Sequence, residues 1–269
     1  MRAGAMMITF EGKNFLVTGA SKGIGAATAH VLLKAGANVA LHWHNDEAQA
    51  AILAETFGPD RTHLFRADLG DQQAVRGLFA DAVKWAQLLH GAGRLDGIVN
   101  NAATMPYSGP EDARADWDAD WDQVWRVNVR AVADLCREAV LHFKETGPDG
   151  SRPAGGMIVN IASRAAFRGD MPDAMHYAAS KGAVVALTRS LAKGYAQDGI
   201  RAYCVAPGWV RTDRVASRID ESPTALAEIP MGAAAPPEEV GNLVAFLLSG
   251  LAHHATGATI DINGASYFH

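Results

Sequence analysis

The sequence predicts an α/β fold in which helices cover both faces of a mostly parallel, seven-stranded sheet. Short apolar runs alternate with longer amphipathic segments from one end of the chain to the other. Connections between parallel strands are right-handed and place their helices on both faces of such a sheet. A turn with three glycines follows the first apolar run. No linker interrupts the alternation, so we expect one doubly wound domain over residues 1–269.

The composition limits the kinds of partner that the protein is expected to bind. The chain has 269 residues, 49% hydrophobic and 20% charged, and its net charge of −5 is spread over both signs, which disfavours nucleic-acid binding. Cys136 and Cys204 have neither disulfide nor zinc spacing and fit a reducing, cytoplasmic setting. The apolar run near the N-terminus is too short for a signal peptide. No apolar run approaches the roughly 20 residues that cross a bilayer, so we expect no membrane partner.

The first strand, Phe15–Val17, leads into a glycine turn and then into a helix through Leu33. Glycines in such a turn allow a tight bend and a close approach of the backbone to a pyrophosphate, which the free amides at the helix start then bind. Glycine turns without ligands are frequent, but this one lies between a strand and a helix, as a dinucleotide site requires. We therefore predict a Rossmann-type fold. The candidate cofactor contacts in the turn are Gly19, Ser21, Lys22, Gly23, Ile24 and Gly25.

The end of the second strand, Asn38–Trp43, selects between the two nicotinamide cofactors. A carboxylate there accepts the ribose hydroxyls of NAD and repels the 2′-phosphate of NADP. This chain has His44 in that place and a cation, Lys22, in the glycine turn. We therefore expect NADP(H) to be preferred, with NAD(H) possible. His42 and His44 share one face of the strand, but no third ligand accompanies them, and we predict no metal site.

Two further strand ends contribute cofactor contacts. A third strand, Thr62–Ala67, precedes Asp68 and Leu69 and a helix from Asp71 to about His90. Asp68 lies where it would accept from the adenine amine, or else it caps that helix. The fourth strand, Gly97–Val99, leads into a loop that its amide side chains would hold beside the cofactor. The candidate contacts here are Asp68, Leu69, Asn101 and Ala102.

The middle of the chain supplies candidate catalytic groups. The segment 104–120 is predicted as a loop, and a helix follows from about Trp121 to Lys144. Asn128 lies in that helix among apolar neighbours, so it is either a satisfied structural amide or part of a proton relay. The fifth strand, Met157–Ala162, ends at Ser163, at the same carboxyl edge of the sheet.

Tyr177 and Lys181 lie four positions apart in a helix that continues to about Gln197. Residues with this spacing project from the same helix face. A nearby cation lowers the pKa of a phenol, which allows tyrosine to act as a general acid or base. A packed Tyr–Lys pair without any function is the alternative interpretation.

The last third of the chain completes the site. The sixth strand, Ile200–Val205, leads into Pro207 and Gly208, and residues 213–231 have no regular period and are predicted to cover the site. A helix to Leu248 and a strand over 258–262 follow. Arg164, Arg168 and Arg211 either contact an anionic substrate or are solvated surface charges.

The assembled pattern resembles the short-chain dehydrogenase/reductase family over nearly the whole chain, and in particular its 3-oxoacyl-carrier-protein reductases. The matching residues are Thr18 to Gly25, Asp68, Asn100 to Ala102, Asn128, Ser163, Tyr177, Lys181, Pro207, Gly208 and Thr212. The resemblance implies that Tyr177 is the catalytic acid/base, that Lys181 lowers its pKa and holds the nicotinamide ribose, and that Ser163 positions the substrate oxygen. It also implies that Asn128 anchors a relay water, that Pro207, Gly208, Val210 and Thr212 contact the cofactor, and that the enzyme is a homotetramer.

Two departures from the family pattern are visible. Ala103 stands where relatives usually have glycine, which bears on the local backbone conformation. Ser163 precedes Tyr177 by fourteen positions, one more than the family leads us to expect, which predicts a slightly longer substrate loop.

The expected function is hydride transfer between a nicotinamide cofactor and a carbonyl or secondary alcohol. Enoyl reductases on this fold usually have a lysine further from the tyrosine than the four positions found here. A non-catalytic cofactor sensor or scaffold is the alternative from another class. Such proteins tend to lose catalytic side chains, whereas all four candidates are present in this sequence.

Overall fold

The computed structural model describes residues 8–90, 94–145, 155–213, 215–216 and 226–269. Seven parallel strands form one sheet in the order β3-β2-β1-β4-β5-β6-β7, which confirms the predicted doubly wound architecture. The strands are β1 Asn14–Val17, β2 Asn38–Trp43, β3 Thr62–Arg66, β4 Gly97–Asn100, β5 Gly156–Ile161, β6 Ile200–Pro207 and β7 Thr259–Ile262.

Helices cover both faces of this sheet. They are α1 Gly23–Lys34, α2 Ala48–Phe57, α3 Gln72–His90, α4 Arg114–Val124, α5 Ala131–Lys144, α6 Ala165–Arg168, α7 Met175–Tyr195 and α8 Pro237–Leu248. Side chains of β1 alternate between two buried clusters. Leu16 packs with residues of α3, α5 and α7, whereas Phe15 and Val17 pack with residues of α1 and α8. Strands buried on both faces explain why the runs in the sequence are continuously apolar.

The helix before α5 begins earlier than predicted. Residues 114–120, predicted as loop, belong to α4, whose Arg114 and Asp118 form an exposed i,i+4 ion pair at 2.9 Å. The segment is polar because most of it faces solvent, so it lacks the apolar period that identifies a helix. The connection between β5 and α7 contains α6 and a 3₁₀ turn, Pro172–Ala174.

The strand order reverses beside β1, which pairs with β2 on one side and β4 on the other. Open parallel sheets bind ligands at such a switch point, outside the carboxyl ends of the strands. The cover predicted over 213–231 lies partly outside the described residues, which omit 214 and 217–225. Within the described part of the chain, no helix is long and apolar enough to cross a membrane.

Candidate active site

A cavity of about 1400 Å³ runs along the carboxyl ends of the strands. Most of the residues predicted for the site line it. They are Gly19, Ser21, Lys22, Gly23, Ile24, His44, Asp68, Leu69, Asn101, Ala102, Ser163, Tyr177, Lys181, Pro207, Gly208, Val210 and Thr212. Gly25 and Asn128 lie behind the lining and support it through contacts described below.

The glycine turn takes a conformation that side chains would prevent. Gly19 and Gly23 have φ of +67° and +55°, in the left-handed region that glycine adopts without strain. A Cβ on Gly25 would lie 2.0 Å from the carbonyl oxygen of Gly19 and 2.5 Å from Nδ2 of Asn101. The side chain of the N-cap residue, Lys22, makes no hydrogen bond to the first turn of α1. The turn therefore offers uncapped amides beside the cavity, which suits the pyrophosphate of a dinucleotide.

Thr18 and Asn101 join this turn to the loop after β4. The Thr18 hydroxyl accepts from the amides of Asn101 and Ala102, at 3.0 and 3.1 Å. In return, Asn101 Nδ2 donates to the carbonyl oxygens of Thr18 and Gly19, at 2.9 and 3.2 Å. These bonds hold the amide-rich loop in place, as predicted. Thr18 was not among the predicted site residues, although a hydroxyl directly after β1 signals such a contact.

His42 holds the other side of the turn. Its Nδ1 accepts from the Gly19 amide at 3.1 Å, and its Nε2 lies 3.1 Å from the carbonyl oxygen of Ala67. An acceptor at Nδ1 and a donor at Nε2 require the neutral ring. Burial lowers the pKa of His42 to about 4, which keeps the ring neutral. His42 is thus a structural bridge between two backbone segments, and its two nitrogens are occupied by them.

The cofactor-selecting corner is solvent-accessible. His44 and Lys22 are exposed and line the cavity. Asp46, which also lines it, accepts the amide of Ala48 at 3.1 Å at the start of α2. Asp68 is exposed, and its carboxylate accepts the amide of Gly70 at 2.8 Å. Asp71, rather than Asp68, accepts an amide of the first turn of α3, that of Gln73, at 2.7 Å.

The predicted catalytic pair lies on α7. Lys181 is 3% exposed, and its Nζ donates to the carbonyl oxygen of Ile161 at 2.8 Å. The same Nζ lies 5.6 Å from the ring centroid of Tyr177. Ser163 follows β5 by two positions, and its Oγ accepts the amide of Ala165 at 3.1 Å. That bond uses an oxygen lone pair and leaves the hydroxyl proton for another acceptor.

Asn128 is fully buried in a π-helical turn, Trp125–Arg130, that joins α4 to α5. Its side chain pairs with both backbone groups of Thr104, at 2.9 Å each, and its Nδ2 also lies 3.2 Å from Ser180 Oγ. Ser180 Oγ donates to the carbonyl oxygen of Tyr177 at 2.7 Å. Asn128 therefore connects the loop after β4 to the helix that carries Tyr177. Single π turns within α-helices are frequent at functional sites.

The structure describes the backbone at Ala103, which stands where relatives usually have glycine. Ala265 is the one described non-glycine residue with positive φ, so Ala103 takes an ordinary backbone conformation in the glycine's place.

Arg164 is 5% exposed and bonded to Glu228 and Ser266, so it is not a solvated surface charge. Burial, followed by repulsion from Arg168, lowers the pKa of its guanidinium.

A doubly wound sheet with a glycine turn at its switch point, and a tyrosine, a lysine and a serine at the same rim, define a class: Rossmann-type oxidoreductases that use a dinucleotide. A family model described as enoyl-(acyl carrier protein) reductase matches residues 19–265. The chain belongs to the short-chain dehydrogenase/reductase family, as the sequence motifs predicted. It is an enzyme that acts on alcohol or carbonyl groups with a nicotinamide cofactor.

Three relatives illustrate the match. The 2,5-dichloro-2,5-cyclohexadiene-1,4-diol dehydrogenase of Sphingobium indicum is 34% identical over 262 residues, 96% of this chain and 98% of that protein. The structure of 3-ketoacyl-(acyl-carrier-protein) reductase from Brucella melitensis complexed with NADH matches with a TM-score of 0.83 at 30% identity, over 97% and 100% of the two chains. The angucycline C-6 ketoreductase LanV with bound NADP matches with a TM-score of 0.82 at 32% identity, over 96% of each chain.

Proposed function

We propose that this protein is an NADPH-preferring reductase of ketones, or a dehydrogenase of the corresponding secondary alcohols, with Tyr177 as general acid/base. The observation that carries the proposal is the convergence of Tyr177, Lys181 and Ser163 on the cavity that the glycine turn also lines. The cavity of about 1400 Å³ exceeds the usual range for one ligand. It therefore has room for a dinucleotide and a substrate together.

A nicotinamide cofactor held beside the glycine turn would supply the hydride that reduces the carbonyl carbon. Tyr177 donates its phenolic proton to the carbonyl oxygen, and the Ser163 hydroxyl donates a hydrogen bond to the same oxygen. Lys181, held by Ile161, places a positive charge near the phenol and stabilises the phenolate that forms. By the family resemblance, we assign to Asn128 a relay water that returns a proton to Tyr177. Oxidation of the alcohol is the reverse sequence.

The preference for NADPH follows from charge at the end of β2. Lys22 and His44 are exposed beside the cavity, where Lys22 attracts a 2′-phosphate and His44 adds no negative charge. Asp46 is engaged at the start of α2. NAD(H) is also possible as the cofactor. One of the two solved relatives described above contains NADH and the other contains NADP. We assign the adenine side to Asp68 and Leu69, and the nicotinamide side to Pro207, Gly208, Val210 and Thr212.

Two other functions compete. The description of the matching family model names enoyl reduction, but the four-residue spacing of Tyr177 and Lys181 favours carbonyl chemistry. A non-catalytic sensor or scaffold needs no proton donor at the substrate, whereas Tyr177 and Ser163 both line the cavity. Both alternatives make clear predictions for a turnover assay.

The test is oxidation of NADPH and, separately, of NADH against a panel of ketones, 3-oxoacyl thioesters and enoyl thioesters. We expect turnover of a carbonyl compound, faster with NADPH, and loss of that turnover in Tyr177→Phe with NADPH binding retained. Turnover of the enoyl thioesters alone would show that the protein is an enoyl reductase rather than a carbonyl reductase. Tight cofactor binding without turnover on any compound would favour the sensor.

We further propose that residues 1–269 form one domain and that the enzyme is a homotetramer in the cytoplasm. Trp125 and Leu141 are 43% and 48% exposed on the outer side of the α4–α5 segment, where a second copy would bury them. Cys136 and Cys204 are buried free thiols, in keeping with a reducing compartment. Sedimentation at four times the chain mass of 28.4 kDa would support the tetramer.

A further inference from the structure

Two arginines, one directly before α6 and one at its end, share one carboxylate oxygen at the substrate end of the cavity. Arg164 and Arg168 follow Ser163 within one and a half helical turns and line the cavity. Oε2 of Glu228 lies 3.2 Å from Arg164 Nη2 and 3.5 Å from Arg168 Nη1. Glu228 lines the same cavity. A carboxylate of the protein thus stands between two guanidinium groups beside the proposed reaction site.

The guanidinium of Arg164 has supports besides Glu228. Its Nη1 donates to Ser266 Oγ at 2.7 Å, and its Cζ lies 5.7 Å from the ring centroid of Trp209. Its backbone amide donates to the carbonyl oxygen of Pro207 at 2.9 Å. These contacts come from the ends of β6 and β7 and do not involve Glu228. The cation should therefore stay in place when Glu228 is removed.

The exposures of the three side chains differ in a way that matters for ligand access. The side chain of Arg164 is 6% exposed, that of Arg168 34% and that of Glu228 48%. A buried guanidinium is costly without an anionic or hydrogen-bonding partner. Asp170 also attracts Arg164 electrostatically, but its carboxylate accepts the amide of Met171 at 2.9 Å. Glu228 is the carboxylate that bonds both arginines, and it reaches them from the accessible side.

We propose that Glu228 determines substrate specificity by occupying an anion-binding position that Arg164 and Arg168 form at the substrate end. The inference rests on the proposed function. While Glu228 is in place, a carboxylate on the substrate finds both guanidinium groups engaged and meets a like charge. The wild-type enzyme therefore takes carbonyl compounds that are uncharged at this end. Without Glu228, the same arginines form a fork that bonds a carboxylate of the ligand.

The test uses two matched ligands and two positions. Cyclohexanecarboxylate and cyclohexanecarboxamide have nearly the same shape and differ by one charge. Their binding to the NADPH complex is measured by calorimetry for the wild type, Glu228→Ala, the shape-conserving Glu228→Gln, and Asp173→Asn. Asp173 lines the same cavity but, among the described residues, is not bonded to either arginine, so its variant removes one negative charge elsewhere.

We expect Glu228→Ala to bind the carboxylate at least tenfold more tightly than the carboxamide, and the wild type and Asp173→Asn to show no such preference. Glu228→Gln should shift in the same direction by a smaller factor. The carboxylate should also raise the melting temperature of Glu228→Ala and leave that of the wild type unchanged, because it restores a partner to Arg164. An equal preference in Asp173→Asn, a preference already present in the wild type, or none in either Glu228 variant would overturn the proposal.

Binding and melting need no turnover, so this experiment is separate from the assay of the proposed function. Where turnover is present, 4-oxocyclohexanecarboxylate and 4-oxocyclohexanecarboxamide provide a second readout. The ratio of their kcat/KM values should rise at least tenfold in Glu228→Ala relative to the wild type. An unchanged ratio would contradict the assignment even with the reductase activity established.

Discussion

Lys181 Nζ donates to the carbonyl oxygen of Ile161 over 2.8 Å, and this bond connects the second turn of α7 to the end of β5. Ser163 follows Ile161 by two residues, and Tyr177 precedes Lys181 by one helical turn. One hydrogen bond therefore sets the relative position of the elements that carry the proposed acid/base and the proposed oxyanion contact. Lys181 is 3% exposed, so this partner also offsets the cost of burying its ammonium group.

Lys181→Met should lower kcat/KM for a carbonyl substrate by about 10²- to 10⁴-fold, the usual range for loss of acid/base assistance. The substitution removes the charge near the phenol and leaves the Ile161 carbonyl without its partner. Lys193→Met, at an exposed position of the same helix, is the matched control and should change kcat/KM less than twofold. Equal rates for the wild type and Lys181→Met would contradict the assigned role.

Gly25→Ala should abolish dinucleotide binding, because its Cβ would lie 2.0 Å from the backbone oxygen of Gly19 and the turn would have to open. Gly77→Ala is the control: this glycine lies in α3 with nothing within 4 Å of an added Cβ. It should raise the free energy of unfolding by about 0.5–1 kcal/mol, because alanine favours helix. NADPH titration and thermal unfolding of both variants provide the measurements. Normal NADPH binding by Gly25→Ala would show that the turn tolerates a side chain.

Patterns that are local in the chain could be predicted from the sequence. The glycine turn combines strand, turn and helix within a few residues, and the spacing of Tyr177 and Lys181 lies within one helix. Because parallel strands end at one rim, residues after different strands could be assigned to one site before any distance was known. The structure places them along one cavity.

Contacts between distant segments could not be predicted in this way. His42 bonds to Gly19 across 23 positions, and Arg164 bonds to Glu228 across 64. Histidine at a strand end and glutamate in an irregular segment have no local signature for such roles. The start of α4 at Arg114 was not predicted, because its first turn is polar and exposed and only Trp117 extends the series of Trp121 and Trp125 into it.

His44→Asp should shift the cofactor preference toward NADH. A carboxylate at this exposed place would repel a 2′-phosphate and accept the ribose hydroxyls of NADH. The ratio of kcat/KM for NADPH to that for NADH should fall by roughly tenfold to a hundredfold, which corresponds to about 1.4–2.8 kcal/mol. His254→Asp, an exposed histidine outside the cavity lining, should leave the ratio unchanged. An unchanged ratio in His44→Asp would place the selecting contact elsewhere.

His42 should make stability depend on pH below neutrality. Burial lowers its pKa from 6.5 to about 4 in the folded protein, while the unfolded chain keeps the ordinary value. Between these two values the unfolded state binds more protons than the folded state, so the free energy of unfolding decreases as the pH falls from 6.5 to about 4. The difference between the two pKa values corresponds to roughly 3 kcal/mol of folding stability. This stability is present in full above pH 6.5 and is lost by about pH 4.

The variant His42→Gln isolates this contribution, because glutamine has an amide that can accept and donate but does not titrate. We expect His42→Gln to be less stable than the wild type at pH 7.5, since it lacks the fitted ring, and the difference to shrink as the pH falls toward 4. Urea unfolding at half-unit steps of pH measures both curves. His254→Gln removes an exposed histidine, and its free energy of unfolding should depend on pH in the same way as that of the wild type. Parallel curves for His42→Gln and the wild type would mean that the ring is not held neutral by burial, and that the bridge between Gly19 and Ala67 survives protonation.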